Sequence, residues 1–568
     1  MNMRSFWWLA LAFTLTWMYL EWMSFSSSKV EQVAVQTAAQ SETPLANSNS
    51  ASMSVPSAVP GANAPTSAPA VGGVPTAQSL MEQAQRIHVV TDTLDLKIDT
   101  VGGDIRDARL LKYGATQDHS QPYQIMSDTG SLLYIAQNGI ALQPDATLPA
   151  PNHKAIYQVE KTSYTMTGDT LVVPMTWEQD GVTVTKTYTF KRGDYLVEVG
   201  YKIDNATSEV WAGSLYSQLM RNRHNPDDNF LMYTYTGPVL YDGQADDKYV
   251  KHSFDDLTKN VIDSKPVMGG WGAMIQQYFL TAIIPNQEVQ NNFYAKPMGN
   301  DRYAVGVVEP LISVPAGTTG NMTSKIYIGP EKQDVLAGIA PGLELTIDYG
   351  ILTFLAKPIF WLLNQIHSVV GNWGVAIILL TLLIKLVFYK LSATSYRSMA
   401  RLKKFQPKLK QLKENYGDDK VIFQQKMMKL YKEEKINPLG GCLPIFIQMP
   451  VFIALYWVLL YSVEMRQAPF MLWIEDLSAQ DPYYILPVIM GITMFIQQKL
   501  NPSAMMDEMQ QKVMKFLPFI FTFFFLWFPA GLVLYWVVNN ILSVAQQWYI
   551  TRQIEASEDV KPAKIAKD

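Results

Sequence analysis

Hydrophobic and polar positions follow two different patterns along the chain. Between about residues 85 and 340 they alternate with period two in short runs. Val182-Thr-Val184-Thr-Lys-Thr-Tyr188-Thr-Phe190 and Val197-Glu-Val199-Gly-Tyr201-Lys-Ile203 flank Lys191-Arg-Gly-Asp194, which predicts a hairpin with a glycine in its turn. Leu94-Asp-Leu96-Lys-Ile98 alternates in the same way. About 250 residues of such short strands predict a large all-β sandwich over 81–345.

After that region the apolar runs become continuous. Residues 349–391 are apolar over 43 positions, about 65 Å as helix, twice a hydrocarbon core of ~30 Å. The run must break, and Gly371-Asn372-Trp373-Gly374 is the place. Residues 346–371, with Lys357, Pro358, Asn364, Gln365 and His367 among bulky apolar residues, predict an amphipathic helix at the interface. Residues 372–391, 442–463 and 483–500 predict spans. Residues 516–550 are too long for one span, and Pro529-Ala530-Gly531 divides them into 516–529 and 530–550. At the other end, residues 1–25 carry an apolar run after Arg4. Glu21-Trp22-Met23 offers no small-residue cleavage site, which favours an uncleaved anchor over a signal peptide. This gives six spans in a polytopic α-helical membrane protein. Residues 26–80 are rich in Ser, Ala, Pro, Val and Gln, and no aromatic occurs between Phe25 and Tyr113. That composition predicts a flexible tether.

Charge orients the spans. Only 17% of residues are charged, against about 25% in soluble domains. The net charge of −4 conceals a split. Residues 82–345 carry 31 acidic and 21 basic side chains, and residues 346–568 carry 16 and 23. From Lys390 to Lys435 there are 13 basic and five acidic residues, a net +8. The loop 464–482 has one basic residue, Arg466, and four acidic ones. Positive-inside bias therefore places 392–441, the loop 501–515 and the tail 551–568 in the cytoplasm. It places 26–345 and 464–482 outside, so both termini are cytoplasmic. A single soluble enzyme domain and a disordered chain are excluded, and one cysteine, Cys442, excludes a disulfide framework.

The candidate chemistry lies in the spans. Lys385 stands among apolar residues, where a cation costs a few kcal/mol or more at mid-depth and marks a functional position by default. Thr381, Lys385 and Tyr389 recur at i, i+4 and i+8, a polar stripe on one helical face. Snorkelling is the competing account of Lys385, since the helix end is roughly 9 Å away. Gln448, Thr493, Gln497, Thr522, Asn539 and Asn540 add polar groups to the other spans. Polar groups in lipid must face each other or water, so they predict a wet cavity open to the cytoplasm and closed outside by apolar packing. Scattered interhelical hydrogen bonds are the alternative. The cytoplasmic loop predicts two helices, 395–415 and 419–434. Its cations, among them Arg397, Arg401, Lys403, Lys404 and Lys408, suit anionic lipid headgroups or ribosomal RNA.

The outer region offers no catalytic constellation. Its histidines are scattered without metal-ligand spacing, and Arg221–Asp228 reads as a solvated polar loop. Trp177, Trp211 and Trp271 read as core residues rather than as the floor of a sugar cleft. Neither a P-loop nor a Gly-rich phosphate loop occurs.

Four stretches carry a resemblance: Asn437–Pro450 (NPLGGCLPIFIQMP), Val463–Phe470 (VEMRQAPF), Leu477–Tyr484 (LSAQDPYY) and Phe525–Tyr535 (FLWFPAGLVLY). Over 350–550 the chain closely resembles a bacterial YidC-type membrane-protein insertase. The anchor and outer domain resemble the Gram-negative branch more loosely. The resemblance implies a five-helix core with a groove open to cytoplasm and lipid, and a β-supersandwich outside the inner membrane. It also implies a coiled-coil-like cytoplasmic hairpin that receives substrate. It assigns Lys385 the groove cation, where relatives usually carry arginine, and it places Thr381 and Gln448 in the groove. Implied partners are nascent membrane proteins, the ribosome, the Sec translocon with its accessory subunits, and anionic lipids. No cofactor is implied. Two rival classes remain for this pattern, a small-solute transporter and a membrane-anchored periplasmic carbohydrate-binding protein. The short spans and the lack of inverted repeats speak against the first, and the polar stripe against the second.

Overall fold

The computed structural model describes residues 85–224, 235–245, 248–416, 419–433, 443–500 and 508–558. The expected anchor, the tether, the segment Asn437–Cys442 and the end of the tail lie outside these residues.

Period-two alternation becomes strand as expected. Val182–Lys191 and Leu196–Asn205 pair antiparallel, with Val182 opposite Asn205 and Phe190 opposite Val197. Gly193 takes φ +77° in the turn, which a side chain would strain. Among the described residues the outer region forms two sheets, of 11 and eight strands. In the larger, Trp211–Asn222 lies between Tyr134–Ala141 and Arg302–Val308. In the smaller, Thr319–Pro330 joins the 182–205 hairpin to Phe279–Ile284. The two sheets contribute to one apolar core. Trp211 and Trp271 are fully buried, and their indole N–H groups donate to the carbonyls of Pro149 and Pro341, each at 3.0 Å.

Helices follow: α1 (Thr353–Val370), α2 (Trp373–Val387), α3 (Tyr389–Lys404), α4 (Gln406–Tyr416), α5 (Lys420–Glu433), α6 (Leu443–Tyr461), α7 (Ile485–Leu500), α8 (Glu508–Phe524) and α9 (Ala530–Glu558). The amphipathic α1 buries Ala356, Ile359, Phe360 and Leu363 and exposes Phe354, Trp361 and Val369. It ends at Gly371 in the left-handed region, φ +67°, and Asn372 caps α2 by accepting from the Val375 N–H at 3.0 Å. The second long run breaks at a short 3₁₀ turn, Phe525–Trp527, before α9. Both breaks fall where they were expected.

Three boundaries differ from expectation. The run 375–391 is not one helix: it bends by 67° between α2 and α3. No proline or glycine lies there, so the hydrophobic pattern reads straight through the bend. The segment 392–441 forms three helices among its described residues rather than the two expected, because the chain breaks at Phe405 and restarts with Pro407 in the first turn of α4, where proline is tolerated. Helices α8 and α9 also extend beyond 516 and 550, to 508 and 558. No single described helix is long and apolar enough to cross a membrane, while α2 with the first part of α3 passes that test as a bent pair.

Candidate functional site

Helix α2 places Lys385 two residues before its end. The side chain is half-buried, and Nζ donates to the hydroxyl of Ser543 on α9 at 2.8 Å. Beside it lies a small pocket walled mainly by apolar side chains, lined by Ile384, Lys385, Phe388, Leu391, Ser392, Gln448 and Val451. From its wall Gln448 donates through Nε2 to Oδ1 of Asn539 at 2.7 Å. A cation, two amides and two serines thus converge within apolar helices.

The remaining expected residues lie elsewhere. Thr381 is 1% exposed and donates to the Ile377 carbonyl of its own helix at 2.6 Å. Tyr389 begins α3 beyond the bend, so the expected stripe of Thr381, Lys385 and Tyr389 does not lie on one straight helix. The Tyr389 carbonyl accepts from Gln546 at 3.3 Å, while its ring is exposed. Thr522 donates to the Pro518 carbonyl at 2.7 Å and packs against Gly491. Asn540 reaches Thr493 at 3.4 Å, a second interhelical pair. Of the cations expected on the hairpin, Arg397 and Lys408 are exposed, with the Lys408 ammonium 5.3 Å from the Phe405 ring centroid. The side chains of Arg401, Lys403 and Lys404 lie outside the described set.

Sequence reading missed Ser392 and Ser543. A signal existed for the latter: Asn539, Ser543 and Gln547 recur every fourth residue on α9, and all three are buried.

The end of the bundle away from Lys385 is closed. In the segment 463–482, Val463, Met465, Ala468, Ile474 and Leu477 are buried. The Ala530 N–H donates to the Ala479 carbonyl at 2.7 Å, and Asn372 donates to the Phe470 carbonyl at 2.9 Å. Asp481, fully buried, accepts from Trp473 Nε1 at 2.9 Å and from the backbone N–H of Leu486 at 2.7 Å. This segment also meets the outer domain. The Arg466 guanidinium lies 5.0 Å from the Tyr123 ring and 5.4 Å from Phe279, and Gln467 donates to the Gly114 carbonyl at 3.0 Å.

The expected solvated loop 221–228 begins instead inside the strand Trp211–Asn222, and Arg223 and His224 are exposed. Arg221 is fully buried, 5.0 Å from the Tyr134 ring centroid, and donates to Gln276 at 3.2 Å and to the His224 carbonyl at 3.0 Å.

A bundle of apolar helices that holds a lysine, two amides and two serines near one end and packs on a two-sheet β-domain near the other defines the class: an apolar helical core joined to a β-domain. Residues 86–362 match the profile described as the YidC periplasmic domain, and residues 365–558 match that described as 60Kd inner membrane protein. Curated relatives named membrane protein insertase YidC are 49% identical in Stutzerimonas stutzeri (99% of both chains) and 49% in Alkalilimnicola ehrlichii (86% of both). Another, from Thioalkalivibrio sulfidiphilus, is 52% identical over 83% of this chain and 85% of its own. A solved structure described as active YidC insertase aligns at 18% identity with a TM-score of 0.38, covering 82% of this chain and 92% of that one. The chain belongs to the YidC family of membrane protein insertases.

Proposed function

We propose that the chain inserts nascent hydrophobic segments into the inner membrane by hydrating the short polar flank that must cross. The observation that carries this reading is Lys385 beside Ser392, Gln448 and Ser543 on the wall of a pocket inside an apolar bundle. A hydrophobic segment partitions into lipid unaided, whereas its polar flank faces a dry barrier of ~30 Å. A wet cavity shortens that barrier, and an ammonium lowers the cost for an acidic flank. Hydrophobic partitioning and the membrane potential supply the work.

In this reading the chain spans the membrane six times around a five-helix core. Both termini and the basic segment 392–441 are cytoplasmic, and the outer domain, a supersandwich, is periplasmic. Thr381, Gln448, Thr522, Asn539 and Asn540 contribute to the groove, and Tyr389 stands at its mouth. The ribosome, the Sec translocon and anionic lipids engage the cytoplasmic face through Arg397, Arg401, Lys403, Lys404 and Lys408. The positive-inside charge pattern and the family resemblance support this arrangement. Neither solute transport nor carbohydrate binding finds support in the relatives' names.

The test is reconstitution of the full chain into liposomes, with insertion of a short two-span substrate followed by protease protection. Protection above that of empty liposomes is expected, and equal protection overturns the reading.

A further inference from the structure

We infer that Ser543 is a positioning residue for insertion, holding the Lys385 ammonium against the cavity. This inference rests on the reading of Lys385 above. Ser543 is 3% exposed on α9. Its hydroxyl hydrogen is committed to the Asn539 carbonyl, one turn earlier, at 2.7 Å. A hydroxyl has one hydrogen and two lone pairs, so the oxygen faces its other neighbours as an acceptor. Nζ of Lys385 reaches it from α2 at 2.8 Å, and the phenol of Tyr396 on α3 lies within hydrogen-bonding reach. One serine therefore joins three helices.

The consequence falls on Lys385. An ammonium carries three donors. Ser543 takes one and leaves two beside the space that Ser392 and Gln448 also line. A lysine stem is flexible, and without that acceptor it is free to extend toward the interface, away from the cavity. The anchor thus sets where in the bundle the positive charge sits, and so which substrates feel it. The same geometry links the groove cation to Tyr396, at the root of the cytoplasmic helices.

The experiment uses full-length variants in liposomes and two matched two-span substrates, one with an acidic and one with a neutral translocated flank. Rates are normalised to folded insertase. Ser543→Ala is expected to slow the acidic flank about fivefold, the typical net contribution of one hydrogen bond, and to leave the neutral flank within about twofold. Ser543→Thr keeps an acceptor at that place and should restore the wild-type ratio. In a Lys385→Arg background Ser543→Ala should cost less, because a five-donor fork depends less on one acceptor. Equal slowing of both flanks by Ser543→Ala, or equal cost in both backgrounds, overturns the inference. Lys385→Ala in the same assay separates the two levels. If it abolishes the acidic preference while Ser543→Ala leaves it intact, the positioning role fails and the reading of Lys385 stands. If Lys385→Ala leaves the preference intact, that reading fails, and the positioning role fails with it.

Discussion

In the outer domain Lys186 is fully buried, and every donor on its ammonium is used. Nζ reaches the carbonyls of Gly102 at 2.8 Å, Gly103 at 2.9 Å and Asn138 at 3.5 Å. The rings of Tyr157, Tyr188 and Tyr201 surround it at 5.3 to 5.6 Å, and the buried Asp104 supplies a countercharge. Burial pulls its pKa down and the Asp104 carboxylate opposes that shift. In the helical bundle Lys385 is half-buried. Among the described residues its acceptor is one serine hydroxyl, and beside it lies a pocket lined also by Ser392 and Gln448. Both lysines are withdrawn from water, yet only one retains donors for something else. Burial of a cation alone does not mark function; unused bonding capacity next to a cavity does.

The contrast breaks most sharply at Lys186. Lys186→Met strands three carbonyls and removes the countercharge of Asp104, so the outer domain should lose about 3–5 kcal/mol. Denaturant unfolding followed by tyrosine and tryptophan fluorescence reads this out. A loss below about 1 kcal/mol would show that Lys186 is not saturated as described. Lys385→Met should leave global stability nearly unchanged and alter substrate preference instead.

Glu331 extends the comparison to a buried acid. It is 2% exposed, and burial pushes its pKa up to about 8, with Lys251 opposing. The folded state then holds the proton across a range in which the unfolded chain, with an ordinary value of 4.5, releases it. Stability from this group is complete below pH 4.5 and is lost as pH rises toward about 8. Glu331→Gln should be more stable than the parent above pH 8 by up to roughly 5 kcal/mol, with the difference vanishing at pH 4. Parallel stability curves for the two proteins would refute the assignment.

A smaller effect is expected where the two regions meet. Arg466→Ala removes the guanidinium from the Tyr123 and Phe279 rings, worth about 1 kcal/mol. Hydrogen exchange in 463–482 should quicken while that in α6 does not. Unchanged exchange in 463–482 would mean that the outer domain does not brace this segment.

Much of this was legible in the sequence, for identifiable reasons. Alternation announced the 182–205 hairpin, and the same parity put Lys186 on the inward face with Val184 and Tyr188. That was overlooked because a charged strand residue ordinarily faces water. Glycine with asparagine at 371–372 and proline at 529 announced their breaks. The bend at Phe388 carries no such residue, so Tyr389 was put on a stripe it does not share with Lys385. Gln448 lines the pocket beside Lys385 whereas Thr522 bonds back to its own helix, because a polar residue in a span does not announce which way its face turns. Ser543 went unread because a helical serine ordinarily bonds back to its own helix, as this one also does.

The central claim is that Lys385 acts by its charge on the translocated flank. The measurement is the insertion rate of matched substrates with acidic and neutral flanks, normalised to folded insertase, for the parent, Lys385→Arg, Lys385→Ala and Lys385→Glu. Attraction between charges grows as the local dielectric falls, and a cavity walled by apolar helices screens less than bulk water. The account predicts that Lys385→Arg preserves both rates. It predicts that Lys385→Ala slows the acidic flank about tenfold, that Lys385→Glu slows it more, and that the neutral flank is nearly indifferent throughout. Equal slowing of both flanks would contradict it, and would make Lys385 a structural or merely hydrating group like its counterpart in the outer domain.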